Sequence, residues 1–84
     1  MRYRVIITRL AEKHIRTLPE AMRRRIDRKI ASLGEAPYRS GTARVTTTGG
    51  WRTRVGDYRI LLDVDDADRL VIINAVRHRR EAYR

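Results

Sequence analysis

The sequence predicts one α+β domain: an N-terminal strand, a helical hairpin, then a three-stranded antiparallel meander, with both helices packed on one face of the sheet. Three observations lead there. A short β-branched run near the start is followed by two stretches with helical apolar spacing. A Gly-Asp pair sits between two alternating segments, as in a tight hairpin. A further apolar run then follows an acidic turn.

Taken in order, residues 3–8, "YRVIIT", read as a strand with Val5 and Ile7 on one face. Thr8 is placed to cap the next helix. In "RLAEKHIRTL" one stripe collects Leu10, Ala11, His14, Ile15 and Leu18, and His14 is read as a packing residue at the core edge. Pro19 ends that helix and opens a second. The second stripe is Met22, Ile26, Lys29, Ile30 and Leu33, with Gly34 expected as the stop. Residues 35–50 carry Pro37, Gly41 and a Gly-Gly pair and are expected to be mostly loop, with a short strand at 44–48. "WRTRV" and "YRILLDV" flank the Gly56-Asp57 turn, "DDAD" makes the next turn, and "LVIINAV" is apolar on both faces, as a central strand would be. The tail "RHRREAYR" leaves the sheet as a loop or a helical turn.

Eighty-four residues with 42% hydrophobic content make a single domain, 1–84, with a complete but small core. There is no cysteine, so disulfides and thiolate metal sites are excluded. No cofactor or metal is expected, and the aspartates at 65, 66 and 68 lack the glycine and glutamate of a calcium loop. The first apolar run is too short for a signal peptide or a membrane span, so a cytoplasmic protein with no membrane association is expected. Twenty Lys plus Arg against ten Asp plus Glu give a formal charge of +10, and only Lys13 and Lys29 are lysines. Such a field suits a polyanion or an acidic partner, and arginine's planar fork suits phosphate.

The stretch "WRTRVGDYR" concentrates this charge. A two-residue turn at 56–57 sets Arg54 opposite Arg59, and Arg52 shares Arg54's face. Like charges so placed are unfavourable unless an anion lies between them. Spacing alone leaves two readings open, a solvated outer face or an anion site. The tail adds four arginines, His78 and Tyr83 within residues 77–84, against the single acid Glu81. It is expected to emerge near Arg59, although the register across "DDAD" leaves the facing of residues 74–77 open. Arg23, Arg24, Arg25 and Arg28 on the second helix form a further basic group, read equally as a solvated face or as a contact for ribosomal RNA or an acidic partner. Trp51 and Tyr58 read first as packing residues and second as stacking platforms for bases.

"WRTRVGDYRILLDVDD" followed by "VIINAVRHRREAYR" resembles the C-terminal half of the RelE/ParE superfamily of toxins from bacterial toxin–antitoxin pairs. The order of elements agrees over nearly the whole chain, and "HRREAY" is similar to the RelE-type ribonucleases rather than to the gyrase-targeting ParE type. The resemblance implies an enzyme that cuts messenger RNA, usually on the ribosome and without a metal, and that is held inactive by a RelB-like antitoxin. Operator DNA would be reached only through that antitoxin. By position it implies catalytic roles for Arg52, Arg54, Arg59, His78, Arg79 and Tyr83, and RNA contacts from Arg77, Arg80, Trp51, Arg23, Arg24 and Arg28.

One departure bears on the chemistry. Some RelE enzymes carry lysines where this chain has Arg52 and Arg54, and arginine stays protonated, so it is a poor general base. Attack of a ribose 2′-oxygen on the adjacent phosphate needs a proton acceptor, charge stabilisation and a proton donor for the leaving oxygen. The arginines serve the second need. His78 and Tyr83 are the candidates for proton transfer, histidine with an ordinary pKa of about 6.5. The competing readings are a ParE-like toxin acting on gyrase and a non-catalytic basic nucleic-acid-binding domain.

Overall fold

The structure, a computed structural model, describes residues 2–38, 42–45 and 50–80. Its elements are β1 (Arg4–Ile7), α1 (Arg9–Arg16), α2 (Glu20–Glu35), β2 (Thr42–Arg44), β3 (Trp51–Val55), β4 (Tyr58–Asp65) and β5 (Leu70–His78). The five strands form one sheet in the order β1-β5-β4-β3-β2. All neighbours are antiparallel except β1 and β5, which run parallel from Arg4↔Leu70 to Ile7↔Ile73. The meander of β3, β4 and β5 is as expected, and both helices lie on one face of it.

The core explains that arrangement. Ala11 and Ile15 of α1 and Ile26, Ile30 and Leu33 of α2 are buried against Val55, Ile60, Leu62, Val71, Ile73 and Val76 of the sheet. Each helix therefore buries one stripe, and the sheet buries one of its two faces. Val5 packs on this cluster, whereas Ile7 stays 42% exposed because β1 is an edge strand with a neighbour on one side only.

Two positions differ from the sequence reading. Gly34 does not stop α2; the helix continues to Glu35 and is capped at Ala36, whose N–H meets the Ser32 carbonyl. Gly34 is buried instead, because a Cβ there would come within 3.0 Å of Val5 Cγ2 and 3.4 Å of the Tyr3 carbonyl. The glycine allows β1 to lie against α2. The short strand expected at 44–48 is β2 at Thr42–Arg44, paired with β3 through Ala43↔Arg52; residues 46–49 lie outside the described residues.

β5 carries a bulge. Leu61 pairs with Ala75 but Leu62 pairs with Ile73, so Asn74 is the extra residue. Parity along β5 changes there, which is how both Ile73 and Val76 reach the helix face. Thr8 locks this point: its Oγ1 accepts the Ala11 N–H at 3.3 Å as the cap of α1 and faces the Ile73 and Asn74 carbonyls at 2.9 and 3.2 Å. Beyond the end of β1, the Val76 N–H finds an acceptor in His14 Nδ1 at 3.2 Å. His14 thus serves the fold, as its place on the apolar stripe suggested.

Candidate functional site

The β3–β4 hairpin closes with the expected register. Val55 pairs with Tyr58 and Arg54 with Arg59 across a two-residue turn, and Gly56 takes the positive φ of 58° that the turn requires. Arg59 in turn pairs with Arg77 of β5. Arg54, Arg59 and Arg77 therefore stand in one row across three adjacent strands, on the face away from the helices. With strands about 4.8 Å apart, the row is on the order of 10 Å wide. Arg52 sits two pairs further on, on the same face, beside Leu61. Arg59, at the centre, is only 8% exposed, Arg52 and Arg77 are half-buried, and Arg54 is exposed.

At the turn end of this row lies a cleft of about 270 Å³, lined by Arg54, Gly56, Asp57, Tyr58, Arg59, Arg79 and Arg80. The segment after β5 is held there by main chain: Arg79 N–H donates to the Asp57 carbonyl at 2.7 Å. Its side chain follows, with Nε 3.8 Å from Asp57 Oδ1. Four guanidiniums from three segments converge on one opening. Such an arrangement grips an anion, and a phosphate most readily, because each guanidinium offers two parallel donors.

The expected site residues divide. Arg54, Arg59, Arg79 and Arg80 meet at the cleft, with Arg77 and Arg52 extending it over the open face. His78 pairs with Tyr58 and so faces the helix side, opposite to the arginine row; the two rings meet edge to face at 5.2 Å and 88°. His78 Nδ1 accepts the Arg80 N–H at 3.2 Å. Trp51 is at the far end of β3 from the turn, half-buried on the core, with Tyr38 at 5.0 Å and the Arg44 guanidinium 5.4 Å from its ring. Arg23, Arg24 and Arg28 stay on α2 outside the cleft lining, Arg24 paired with Glu20 at 2.8 Å. Tyr83 lies outside the described residues.

Three residues of the cleft region were not among the catalytic and RNA-contacting residues that the resemblance implied, although Tyr58 was read second as a stacking platform and Arg25 within the basic group of α2. Asp57 and Tyr58 line the cleft directly, and Arg25 reaches the turn from α2, its Nη1 3.1 Å from where a Cβ on Gly56 would be. The turn itself signalled the first two, since whatever brings Arg54 to Arg59 also brings the turn residues to the same end. Nothing in the sequence linked Arg25 to the hairpin. Among the described residues no group of three or more His, Cys, Asp or Glu is placed to hold a metal. Nor is any described helix long and apolar enough to cross a membrane.

Residues 5–83 match the model of the family described as the ParE toxin of type II toxin–antitoxin systems, parDE. The toxin–antitoxin complex RelBE2 from Mycobacterium tuberculosis contains a similar chain, at 26% identity and a TM-score of 0.84, covering 93% of this chain and 99% of that one. The archaeal RelE–RelB complex from Pyrococcus horikoshii is similar at 29% identity and 0.79, with 94% and 97% covered. The free E. coli RelE toxin, as a double arginine mutant, shares the fold at 19% identity and 0.82, with 99% and 90% covered. Among curated protein sequences none matches the chain.

Proposed function

Because the chain belongs to the ParE toxin family of type II toxin–antitoxin systems, we propose that it is the catalytic kind of toxin in the RelE/ParE superfamily, an endoribonuclease that cuts messenger RNA on the ribosome. The observation that carries this reading is the row Arg54–Arg59–Arg77 opening into a cleft shared with Arg79 and Arg80. A single strand laid along the row places one phosphate at Arg59. The neighbouring ribose 2′-oxygen attacks that phosphorus, the bond to the 5′-oxygen breaks, and a cyclic phosphate and a 5′-hydroxyl result. The 2′-proton leaves to an acceptor and another proton goes to the 5′-oxygen. The guanidiniums, already oriented before the reaction, hold the charge of the phosphorane. This route uses the substrate's own hydroxyl as nucleophile, so it calls for no metal-bound water.

The partner in this reading is a RelB-like antitoxin with an acidic or amphipathic segment. The complexes from M. tuberculosis and P. horikoshii support it, as does the charge of +10. Such a segment folds onto the toxin as it binds, and operator DNA is reached through the antitoxin. The family match supports a second reading, a ParE-like toxin that blocks gyrase through the same basic surface.

Induction of the chain alone, followed by primer extension on translated messages, separates the two. Growth arrest with discrete cuts is the expected outcome. Intact messages with supercoiling defects would instead establish the gyrase reading.

A further inference from the structure

One side chain of α2 reaches the tip of the β3–β4 hairpin. Ile26 is fully buried and anchors that turn of the helix, and its neighbour Arg25 is exposed. The Arg25 Nη1 and Cζ come within 3.1 and 3.6 Å of where a Cβ on Gly56 would be, and Met22 Cε lies 3.3 Å from the same point. So close an approach is possible because the first residue of the turn has no side chain. Arg24, next along the helix, is held by Glu20 at 2.8 Å. Arg25 makes no salt bridge among the described residues. Its guanidinium is therefore open to a ligand at the tip.

The tip is also where a strand lying in the arginine row leaves the cleft. Two turn residues border the cleft there, Gly56 and Asp57. Asp57 carries a carboxylate, 3.8 Å from Arg79 Nε, and a negative charge repels a phosphate backbone. Gly56 presents main chain alone, so the open way over the tip passes Gly56 and not Asp57. Past that point the strand meets the helix side of the hairpin, where Arg25 stands over Gly56. Tyr58 and His78 share this side as a ring pair and bring no carboxylate to it. A phosphate crossing the tip thus finds one guanidinium and no opposing charge, and an arginine in that position grips it through a charge-assisted fork.

We propose that Arg25 is a further phosphate contact, holding the bound strand where it crosses the hairpin tip from the arginine row to the helix side. The proposal rests on the RNA-binding reading above and adds a binding residue to it. Titration of the intact toxin with a labelled oligodeoxythymidylate tests it, since a strand without 2′-hydroxyls is bound but not cut. Each phosphate contact on a single strand adds about 0.7 to the slope of log affinity against log salt. Arg25→Gln should lower that slope by about 0.7 and weaken binding about fivefold at about 0.1 M salt. Arg25→Lys keeps the charge and should keep the slope. Arg2→Gln removes the same charge near the β4–β5 end of the sheet, where Arg2 pairs with Glu35 at 3.0 Å, and should leave the slope unchanged. Inorganic phosphate, too small to span cleft and tip, should bind alike to the wild type and to Arg25→Gln. An unchanged slope in Arg25→Gln would overturn the proposal, as would an equal loss in Arg2→Gln, a matching loss of phosphate binding, or a wild type that leaves the oligonucleotide unbound. A slope that falls in Arg25→Gln alone, in a toxin that cuts no message, would keep the contact and remove only the ribonuclease activity.

Discussion

Arg59 is the residue on which the arginine row depends, flanked by Arg54 on one strand and Arg77 on the other and almost closed to solvent. In the proposed reaction a guanidinium held there would meet the phosphate with no reorganisation, and its contact would strengthen as charge builds on the phosphorane. Arg59→Ala is expected to slow single-turnover cleavage by about a hundredfold or more, as loss of one preorganised donor does elsewhere. His78 has another kind of role. Its Nδ1 accepts the Arg80 N–H, so in the neutral ring the proton sits on Nε2 and the ring shapes the segment that carries Arg79 and Arg80. His78→Asn keeps a short acceptor for that N–H, whereas His78→Ala does not. Activity should therefore survive in the asparagine variant to well within the hundredfold that a general base contributes. If both variants lose activity equally, the imidazole carries a proton and the acceptor role is wrong. Thr53 offers a test of packing alone: fully buried, its hydroxyl finds no partner among the described residues. Thr53→Val should stabilise the fold by about 1 kcal/mol, read as a rise of about 4–8 °C in Tm.

Between elements, α2 comes close against β1 at Gly34. Alanine ordinarily strengthens a helix interior by about 1 kcal/mol relative to glycine. Here its Cβ would press on Val5 Cγ2 and the Tyr3 carbonyl, so Gly34→Ala should cost about 1–3 kcal/mol, as overpacking does. The Val5→Ala background should remove most of that cost, and thermal melts of the four proteins decide whether the clash is real. The same pair of elements shows where the sequence was and was not legible. Apolar spacing located both helices and the Gly-Asp pair located the hairpin, because those signals are local. Gly34 misled because a glycine at a helix end and one under a crossing strand look alike without the strand. His78 was expected beside the arginines, and the bulge at Asn74 shows why its face was hard to read. "LVIINAV" is apolar at both parities, so alternation leaves no mark of an extra residue, and only pairing with β4 reveals where the count changes. Arg54 against Arg59 needed no such information and was placed correctly.

Across the whole molecule, one carboxylate ties three distant segments. Asp66, in the β4–β5 turn, accepts hydrogen bonds from Tyr3 Oη and Tyr38 Oη, each at 2.6 Å. The two phenols hold its carboxyl below the usual range, while burial and the bond to Asp66 push the Tyr38 phenol up to about 12. The Asp66 contribution is present above the ordinary carboxyl pKa of about 3.9 and is lost as pH falls through the lowered one. The Tyr38 contribution is present below its ordinary value of about 10 and is lost as pH rises towards the raised one. Tyr38→Phe keeps the ring on Trp51 and deletes the bond, so the Tm gap between wild type and variant should be widest between about pH 5 and 9 and should narrow on both sides. A gap constant with pH would show that the phenol contributes by packing alone. The parallel pairing of β1 with β5 has a consequence of timing. Thr8 and the Asn74 carbonyl it faces are 66 residues apart, so the first strand has no partner until nearly all of the intervening chain has been synthesised. The helical pair and the β3–β4 hairpin rest on local contacts and form early, whereas this long-range closure comes late. Arg79 and Arg80 follow β5 directly, so a nascent chain lacks one wall of its cleft until that strand is in place. Anion binding by the cleft should therefore begin only once β5 has paired, and a chain truncated before β5 should bind inorganic phosphate no better than a surface of scattered arginines.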